Sequence, residues 1–269
     1  MILHGYWRSS ASYRVRIALH WKGIAADAHG VDVRAGAQRA PDYLALNPQG
    51  LVPALVDGPV VLTQSLAIIE YLEEIRPDPP LLPASPAERA TVRAAALAVA
   101  CDIHPLNNPR IMNYLRGEMG QPQEAIDIWV KHWMAEGFGP LEATAVAPYL
   151  CGDAVTMADL CLVPQMYNAR RFGVDLTPYP KLVGIEARLL ALPAFEKALP
   201  ENQPDAGLKI TSPLGGEVGL RSNPGEGGWR RSRTSSRKAQ LRPQPPSPGA
   251  SRHPLPRGAR VFYAAFFLK

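Results

Sequence analysis

Residues 7–19, WRSSASYRVRIAL, decide how the amino-terminal part of this chain folds. Three serines stand directly before a segment with helical spacing of apolar residues, and serine is favoured at the start of a helix. Residues 1–6 predict a short strand and residues 13–22 predict the helix. The strand therefore ends where a helix begins, and backbone N–H groups without a helical partner meet serine hydroxyls at one point.

This junction is suited to a thiolate. A helix amino terminus carries about half a positive charge and lowers the pKa of a nearby thiol, which for free cysteine is about 8.5. A serine hydroxyl also donates a hydrogen bond to the thiolate. The alternative is that Ser9, Ser10 or Ser12 only caps the helix, and this segment by itself leaves both interpretations open.

The pattern continues as an α/β unit. Residues 28–33 predict a strand, residues 52–56 and 60–63 a hairpin, and residues 66–75 a second helix. At that helix start Ser65 is a natural cap and Gln64 offers amide donors, which predicts either a ligand carboxylate site or plain capping. A proline entering the hairpin predicts a cis Val52–Pro53 bond, which would expose the Val52 backbone to a ligand.

Five prolines within residues 76–87 prevent a helix from continuing and predict a linker between two domains, 1–80 and 87–206. The second domain is predicted to be all-helical, with helical spacing in residues 88–103, 125–145, 157–169 and 182–190. Thr156 is expected to cap the third of these helices, with Asp159 returning a bond to the cap amide and Val155 packing on Leu160 as a hydrophobic staple.

Charge separates the last 63 residues from the rest. Residues 207–269 hold 12 Lys and Arg against 2 Asp and Glu, whereas residues 1–206 hold 17 against 22. The last segment also contains 8 prolines and 9 glycines, which predicts a disordered basic tail. No aromatic residue is interleaved within its basic cluster at residues 230–238, so nucleic-acid binding is not predicted, and the tail is interpreted as an out-of-frame or read-through extension.

Composition excludes several classes of protein. The chain is 46% hydrophobic, yet no run reaches the roughly 18 apolar residues of a membrane span, so a soluble protein without a membrane partner is expected. Its first residues lack a secretion signal, which predicts a cytoplasmic location. Cys101, Cys151 and Cys161 form no CxxC pair and are predicted to be small buried hydrophobes; no metal site is expected.

Six blocks of sequence, taken together, resemble the zeta class of glutathione transferases. They occur in the family's order: SSASYRVRIAL (9–19), ALNPQGLVP (45–53), QSLAIIEYLE (64–73), DIHPLNN (102–108), TMADLCLVPQ (156–165) and VDLTPYP (174–180). The resemblance covers residues 1 to about 206. It implies a thioredoxin-like first domain, an all-α second domain, a homodimer, and glutathione bound mainly by the first domain.

The resemblance also assigns residues to the site. It implies that Ser9, with Ser10 beside it, supports the glutathione thiolate, and that Arg8 joins them in catalysis. The residues that it places around the rest of glutathione are Gln38, Val52 through its backbone, Gln64, Ser65, His104 and Asn108. Arginine binds carboxylates in bidentate fashion. The arginines expected to bind an anionic substrate are Arg8, Arg14, Arg171 and Arg110.

The implied activity is glutathione-dependent cis–trans isomerisation of maleylacetoacetate by reversible addition of the glutathione sulfur to the double bond. Maleylpyruvate is the alternative substrate, a non-catalytic glutathione-binding protein is the alternative of another class, and conjugation is expected as a minor activity. His104 is expected to contact glutathione rather than to act as a general base. Ala11 departs from the family, which often has cysteine there, so any side activity of that thiol is in doubt.

Overall fold

A computed structural model gives the structure of residues 1–206, to which the description is confined. The first part alternates strands and helices: β1 (Ile2–Gly5), α1 (Ser10–Trp21), β2 (Asp27–Gly30), α2 (Pro41–Leu46), β3 (Ala54–Asp57), β4 (Val60–Thr63) and α3 (Ser65–Ile75). The second part contains α4 (Pro86–Leu97), α5 (Pro109–Gly117), α6 (Gln123–Thr144), α7 (Met157–Arg171), α8 (Pro180–Leu190) and α9 (Pro193–Ala198). This succession confirms the predicted fold class.

The four strands form one mixed sheet in the order β2-β1-β3-β4. The central strand β1 runs parallel to β2 and antiparallel to β3, with Leu3 opposite both Ala28 and Leu55. Strands β3 and β4 form the predicted hairpin, whose turn has Gly58 at a positive φ of 56°. A glycine tolerates this φ without the steric cost that a side chain would bring, which makes the tight connection possible.

The observed helix starts differ from the predicted ones mainly where a serine or a proline begins the helix. Helix α1 begins at Ser10, three residues before the predicted start, because Ser9 is its cap. Helices α2, α5 and α9 were not predicted; each starts with a proline at its first position, which favours helix initiation but is also common in loops. After α4 the chain continues as a π-helical turn, Ala98–Ile103, and a 3₁₀ turn, His104–Asn107.

Asp159 holds the start of α7, as predicted for a capping box. Its Oδ2 accepts hydrogen bonds from the Thr156 backbone N–H at 2.7 Å and from the Thr156 hydroxyl at 2.9 Å. Its Oδ1 accepts one from the Leu150 N–H at 2.8 Å, so the buried carboxylate also fixes the preceding loop. The predicted Val155–Leu160 staple stays a prediction, although both side chains are buried.

The prediction of three buried cysteines is fully confirmed for only one of them. All three are free, but Cys101 is exposed, Cys151 is partly buried and Cys161 is fully buried. Cys101 lies in the π-helical turn, whose widened geometry the sequence pattern did not indicate.

Two further predictions, on the tail and on the domain division, stay predictions. The tail at residues 207–269 lies outside the described residues, and the division into domains at 1–80 and 87–206 stays a prediction. No helix within residues 1–206 combines the length and the apolar character that crossing a membrane takes.

A buried ion pair fastens the linker that follows α3. Lys22, at the end of α1, has a fully buried side chain and pairs with Glu73 on α3. The Lys22 ammonium also donates to the carbonyls of Pro77 and Pro79, while the Glu73 carboxylate accepts from the backbone N–H groups of Leu81 and Leu82. Every charged group here is hydrogen-bonded, which is the condition under which a buried pair is tolerated.

Replacement of Glu73 by Gln is expected to lower the free energy of unfolding by roughly 3 kcal/mol, because it leaves the buried Lys22 ammonium without a counter-charge. Urea unfolding followed by circular dichroism measures the loss. The matched control is Glu70→Gln on the same helix, which breaks a half-exposed pair with Arg93 and should cost less than about 1 kcal/mol. Equal losses of stability in the two variants would contradict the view that the buried Lys22–Glu73 pair holds the linker.

Candidate active site

The loop between β1 and α1 presents the Ser9 hydroxyl at a helix start. Ser9 is the cap of α1, and its Oγ accepts a hydrogen bond from the Ser12 backbone N–H at 3.2 Å. Accepting this bond leaves the hydroxyl proton without a partner among the described residues. Ser9 is only partly buried, so it caps the helix and can donate to a ligand at the same time.

Ser10 differs from its neighbour. It is 8% exposed, and its hydroxyl lies 3.5 Å from the carbonyl oxygen of Pro164 on α7. This long hydrogen bond directs the hydroxyl towards the helical part of the molecule. Ser9 is therefore the more available hydroxyl at this helix start, and the catalytic role of Ser10 stays a prediction.

Both backbone groups of Trp7 are held, which fixes the loop that carries Arg8 and Ser9. The buried Arg16 guanidinium donates to the Trp7 carbonyl at 2.8 Å and to the Ala198 carbonyl at 3.1 Å. The Asp205 carboxylate accepts from the Trp7 N–H at 2.9 Å. Burial lowers the pKa of Arg16 to about 10, so the guanidinium stays charged at neutral pH. Sequence reasoning did not assign Arg16 or Asp205 to the site, because neither contact is local in sequence.

The segment before β3 is equally well fixed. The Tyr43 hydroxyl and the Asn47 side-chain amide each donate to the Leu51 carbonyl at 2.7 Å. The Val52–Pro53 peptide is cis, which confirms the prediction. The backbone N–H and carbonyl of Val52 have no hydrogen-bond partner within residues 1–206, so they are available to a ligand in extended conformation.

The start of α3 corrects one prediction. Helix α3 begins at Ser65 itself, and the cap position belongs to Gln64, whose side chain makes no capping bond. Gln64 has a φ of 68°, a left-handed conformation that is uncommon for residues other than glycine and that clusters at functional sites. Its side-chain amide donates to the Gln49 side chain at 2.9 Å, which brings the two loops together.

Gln38 lies beside the same loops. It belongs to a 3₁₀ turn at Ala37–Arg39, and its backbone carbonyl lies so near Gly50 that a Cβ at position 50 would be 3.1 Å from it. The side-chain Oε1 of Gln38 is buried and has no hydrogen-bond partner in the described part of the chain. A ligand donor could satisfy this oxygen, which agrees with the predicted placement without testing it.

The turn after α4 carries His104 and Asn108. Desolvation and the nearby Arg14 guanidinium lower the pKa of His104 to about 3, so the imidazole is neutral at physiological pH and unsuited to storing a proton. Asn108 caps α5 through its Oδ1, which accepts from the Arg110 backbone N–H at 3.0 Å, while its amide donors stay free of described partners. Arg110 itself is exposed.

Arg8, in the Ser9 loop, and Arg171, at the end of α7, interact through their charges. Partial desolvation and the charge of Arg8 lower the pKa of Arg171, and the charges of both arginines act on Tyr167. Arg8 stacks on Trp7 and Arg171 on Phe172, with guanidinium-to-ring distances of 5.2 and 4.7 Å. Neither forms an ion pair within residues 1–206, so this pair of cations is free to bind a dianion.

Arg14 differs from Arg8 and Arg171 in being buried, and the prediction of a substrate contact for Arg14 stays a prediction. Its side chain is 1% exposed, and Nη1 donates to the Ser65 hydroxyl at 3.3 Å. The reason is that α1 packs against α3, α7 and α9, so it has hardly any solvent-facing side. The Arg14 side chain is therefore buried, and it reaches the Ser65 hydroxyl at the start of α3 from the interior of the protein.

The site is built from hydrogen-bond donors and cations rather than from metal ligands. Within residues 1–206 no group of three His, Cys, Asp or Glu side chains is arranged to hold a metal ion. The arrangement offers a free hydroxyl at a helix start, an unpaired stretch of backbone, a second helix start and two cations. These features suit an extended anionic peptide together with a small dicarboxylate.

Comparison with known proteins gives consistent results. Residues 8–75 match the profile of the glutathione S-transferase N-terminal domain. The chain is 49% identical over 211 residues to the probable maleylacetoacetate isomerase of Vibrio cholerae, a match that spans 77% of this chain and 98% of that protein.

Two solved structures show the same similarity. The holo structure of a maleylpyruvate isomerase, a bacterial glutathione S-transferase of the zeta class, is 48% identical with a TM-score of 0.75 and spans 77% of this chain and all of that one. The maleylacetoacetate isomerase of Methylobacterium extorquens AM1, solved with malonate and glutathione, is 44% identical with a TM-score of 0.74 and spans 77% of this chain and 99% of that one.

Acid should destabilise the parent chain more than a His104→Gln variant. The folded-state pKa of His104 is about 3 against 6.5 for an ordinary histidine, so the unfolded chain binds more protons between these values. Stability is then lost as the pH falls from about 6.5 towards 3, and between pH 7 and pH 5 the parent should lose about 2 kcal/mol more than the variant. Urea unfolding across this pH range measures the difference.

The control for this measurement is His132→Gln, because His132 is exposed on α6. That variant should follow the pH dependence of the parent. A His104→Gln variant with the same acid sensitivity as the parent would show that His104 is protonated in the folded chain.

Proposed function

We propose that this chain, which belongs to the zeta class of glutathione transferases, is a glutathione-dependent cis–trans isomerase that converts maleylacetoacetate to fumarylacetoacetate. The observation that carries the proposal is the Ser9 hydroxyl, which caps α1 and still has its proton to donate. Similarity to isomerases along nearly their whole length supports the same activity.

The described residues fit glutathione as a cofactor. Three polar groups in the loops of the α/β part lack partners within residues 1–206: the Ser9 hydroxyl proton, the Val52 backbone and the buried Oε1 of Gln38. We assign Ser9 to the thiolate, the Val52 backbone to the cysteinyl part and Ser65 with Gln64 to the γ-glutamyl end. His104 and Asn108, with a neutral imidazole and a free amide, are assigned to the remaining polar groups.

When bound, glutathione supplies a thiolate whose reversible addition removes the double-bond character that prevents rotation. Ser9 holds this sulfur ionised, because a hydroxyl donor and the positive end of α1 both favour the anion. His104 takes no part as a base, since its lowered pKa makes the imidazole too weak a base to take up a proton at neutral pH.

Arg8 and Arg171 bind the substrate carboxylates and stabilise the negative charge that develops on the substrate during the reaction. Two guanidinium groups without ion-pair partners in the described chain match a ligand with two anionic ends. Arginine serves this purpose because its planar fork donates two parallel hydrogen bonds to one carboxylate. Arg110, exposed on α5, is a further substrate-binding candidate.

Maleylpyruvate remains the second candidate substrate, because relatives named for the two activities are equally similar to this chain, at 49% and 48% identity. Both substrates contain a cis double bond conjugated to a carbonyl, so the same residues would serve either. Relative kcat/KM values, measured with glutathione present, separate the two. We expect the larger value for maleylacetoacetate, and a larger value for maleylpyruvate would reverse the assignment.

We also propose a homodimer that works in the cytoplasm. An apolar edge of the sheet at Val60 and Val61 and an exposed Leu97 on α4 offer surface for a second copy. The three cysteines are free, which agrees with a reducing compartment where glutathione keeps thiols reduced. Sedimentation of the purified chain, compared with a Val61→Asp variant, tests the dimer.

Replacement of Ser9 by Ala should lower kcat/KM for isomerisation by about a hundredfold, the usual loss when one donor to a developing or stabilised anion is removed. It should also raise the pKa of the bound thiol, read from thiolate absorbance titrated against pH. The matched control is Ser85→Ala, which removes a serine from the cap position of α4, far from this loop in sequence.

Two outcomes would contradict the proposal. If Ser9→Ala left both the rate and the thiol pKa unchanged, Ser9 would be only a helix cap. If the parent chain bound glutathione but isomerised neither substrate, the chain would be a non-catalytic glutathione-binding protein.

Loss of either cation should raise the KM for the substrate. Removing one charge-assisted hydrogen bond costs about 1.5–3 kcal/mol, so Arg171→Gln is expected to lower kcat/KM roughly tenfold to a hundredfold. The control is Arg170→Gln, its neighbour, which pairs with Glu186 instead. Similar kinetics for the two variants would remove Arg171 from the site.

A further inference from the structure

A pair of histidines lies outside the residues assigned to the active site, on two neighbouring strands of the sheet. His4 on β1 is directly opposite His29 on β2 in the register of this parallel pair, as Leu3 is opposite Ala28. Side chains alternate between the two faces of a strand, so partners in register point to the same face. Leu3 is buried in the core, which puts both imidazoles on the other face of the sheet.

The two rings lie close together. Their centroids are 4.7 Å apart with an angle of 34° between the ring planes, and the Tyr43 ring lies 6.4 Å from that of His4 in an edge-on arrangement. Tyr43 is itself fixed, because it is buried and its hydroxyl donates to the Leu51 carbonyl. His4 is partly buried and His29 is exposed, so the pair is open to solvent from the His29 side.

The nitrogens of these rings are not used by the described chain. Neither imidazole forms a hydrogen bond or an ion pair within residues 1–206. Burial, and to a lesser degree the charge of His29, lower the pKa of His4, so its ring is neutral at neutral pH and keeps a lone pair. Neutral imidazole is the commonest protein ligand of divalent transition metals.

The distance between the rings suits one shared ion. With zinc–nitrogen bonds of about 2.0–2.1 Å, the centroid of a bound imidazole lies roughly 3.2 Å from the ion, so two imidazoles at adjacent positions have centroids roughly 4.5–5.2 Å apart. The observed 4.7 Å falls within this range. The bond that carries each ring has broad torsional minima, so a rotation about it turns the nitrogens towards the ion. Asp27, two residues before His29 and on the same face of β2, adds negative charge that attracts a cation.

We propose that His4 and His29 form a binding site for an exchangeable divalent transition-metal ion, with the two imidazoles as ligands and water in the remaining positions. No group of three His, Cys, Asp or Glu side chains in the described chain could hold a metal, so the pair gives a weaker and more labile site than a structural zinc centre. The inference is independent of the isomerase activity. It differs from the expectation of no metal site, which rested on the spacing of the cysteines.

An ion at this position joins an edge strand to the centre of the sheet. Strand β2 has four residues, all of them exposed, and within residues 1–206 it pairs with β1 alone. An ion that binds the folded chain and not the unfolded one shifts the unfolding equilibrium towards the folded state. The expected effect of the ion is therefore on stability rather than on the chemistry near Ser9.

The experiment titrates Ni²⁺ into the chain, prepared without a histidine tag and without glutathione, and measures the heat of binding. Nickel is the probe because imidazole is among its preferred ligands. The parent should bind one Ni²⁺ per chain. His29→Gln and His4→Gln should each weaken this binding by about tenfold or more, since loss of even an outer-shell partner of a metal ligand costs about 10–100-fold. Mg²⁺, which prefers oxygen ligands, should not bind to the pair.

Two matched variants separate the pair from other ligands on the surface. His132→Gln removes an exposed histidine on α6, and Cys101→Ser removes an exposed thiol. Neither should change the dissociation constant for Ni²⁺. Urea unfolding gives a second readout: Ni²⁺ should raise the unfolding midpoint of the parent and leave that of His29→Gln unchanged.

The exposed position of His29 keeps the test decisive, because its replacement leaves the core intact even if His4→Gln fails to fold. Equal Ni²⁺ affinity in the parent and in His29→Gln would overturn the proposal. So would a parent that does not bind Ni²⁺, or a binding that is lost in Cys101→Ser or His132→Gln. Each of these outcomes leaves the isomerase assignment untouched, since that rests on a separate assay.

Discussion

The site depends on how the backbone of Trp7 is held. One buried guanidinium, Arg16, donates to the Trp7 carbonyl, and one carboxylate, Asp205, accepts from the Trp7 N–H. Arg8 and Ser9 follow immediately in the chain, so these two bonds determine where a cation and a hydroxyl lie relative to the start of α1. Asp205 is far away in sequence, which means that the end of the helical part completes a loop of the α/β part.

Buried charge is used in two ways along the same helix. Lys22 is fully paired with Glu73 and with backbone carbonyls, and its contacts fasten the linker between α3 and α4. Arg14 makes one bond to a neutral hydroxyl and leaves two nitrogens without described partners. The first arrangement is complete within the described residues, whereas the second leaves a buried charge without a described counter-ion.

Much of the fold could be predicted from the sequence because its signals are local. The serines before α1, the proline entering β3, the capping box of Thr156 and Asp159, and the prolines of the linker each act within a few residues. The signals that failed were weaker or ambiguous. Prolines at the start of short helices also occur in loops, and the π-helical turn at Ala98–Ile103 shifts the side chains after α4 without changing the apolar spacing that precedes it.

The sequence by itself determined the order of the four strands and of the longer helices, the fold class and the candidate helix starts, since these follow from spacing, capping and proline chemistry. The sequence also identified candidate residues of the site, but it did not show which of them lie close together. Only the tertiary structure brings the charges of Arg8 and Arg171 close enough to interact and buries Arg14 next to the Ser65 hydroxyl. The physical reason is that α1 is covered by α3, α7 and α9, so an arginine on this helix has no solvent face, and helical periodicity cannot reveal how many neighbours cover a helix.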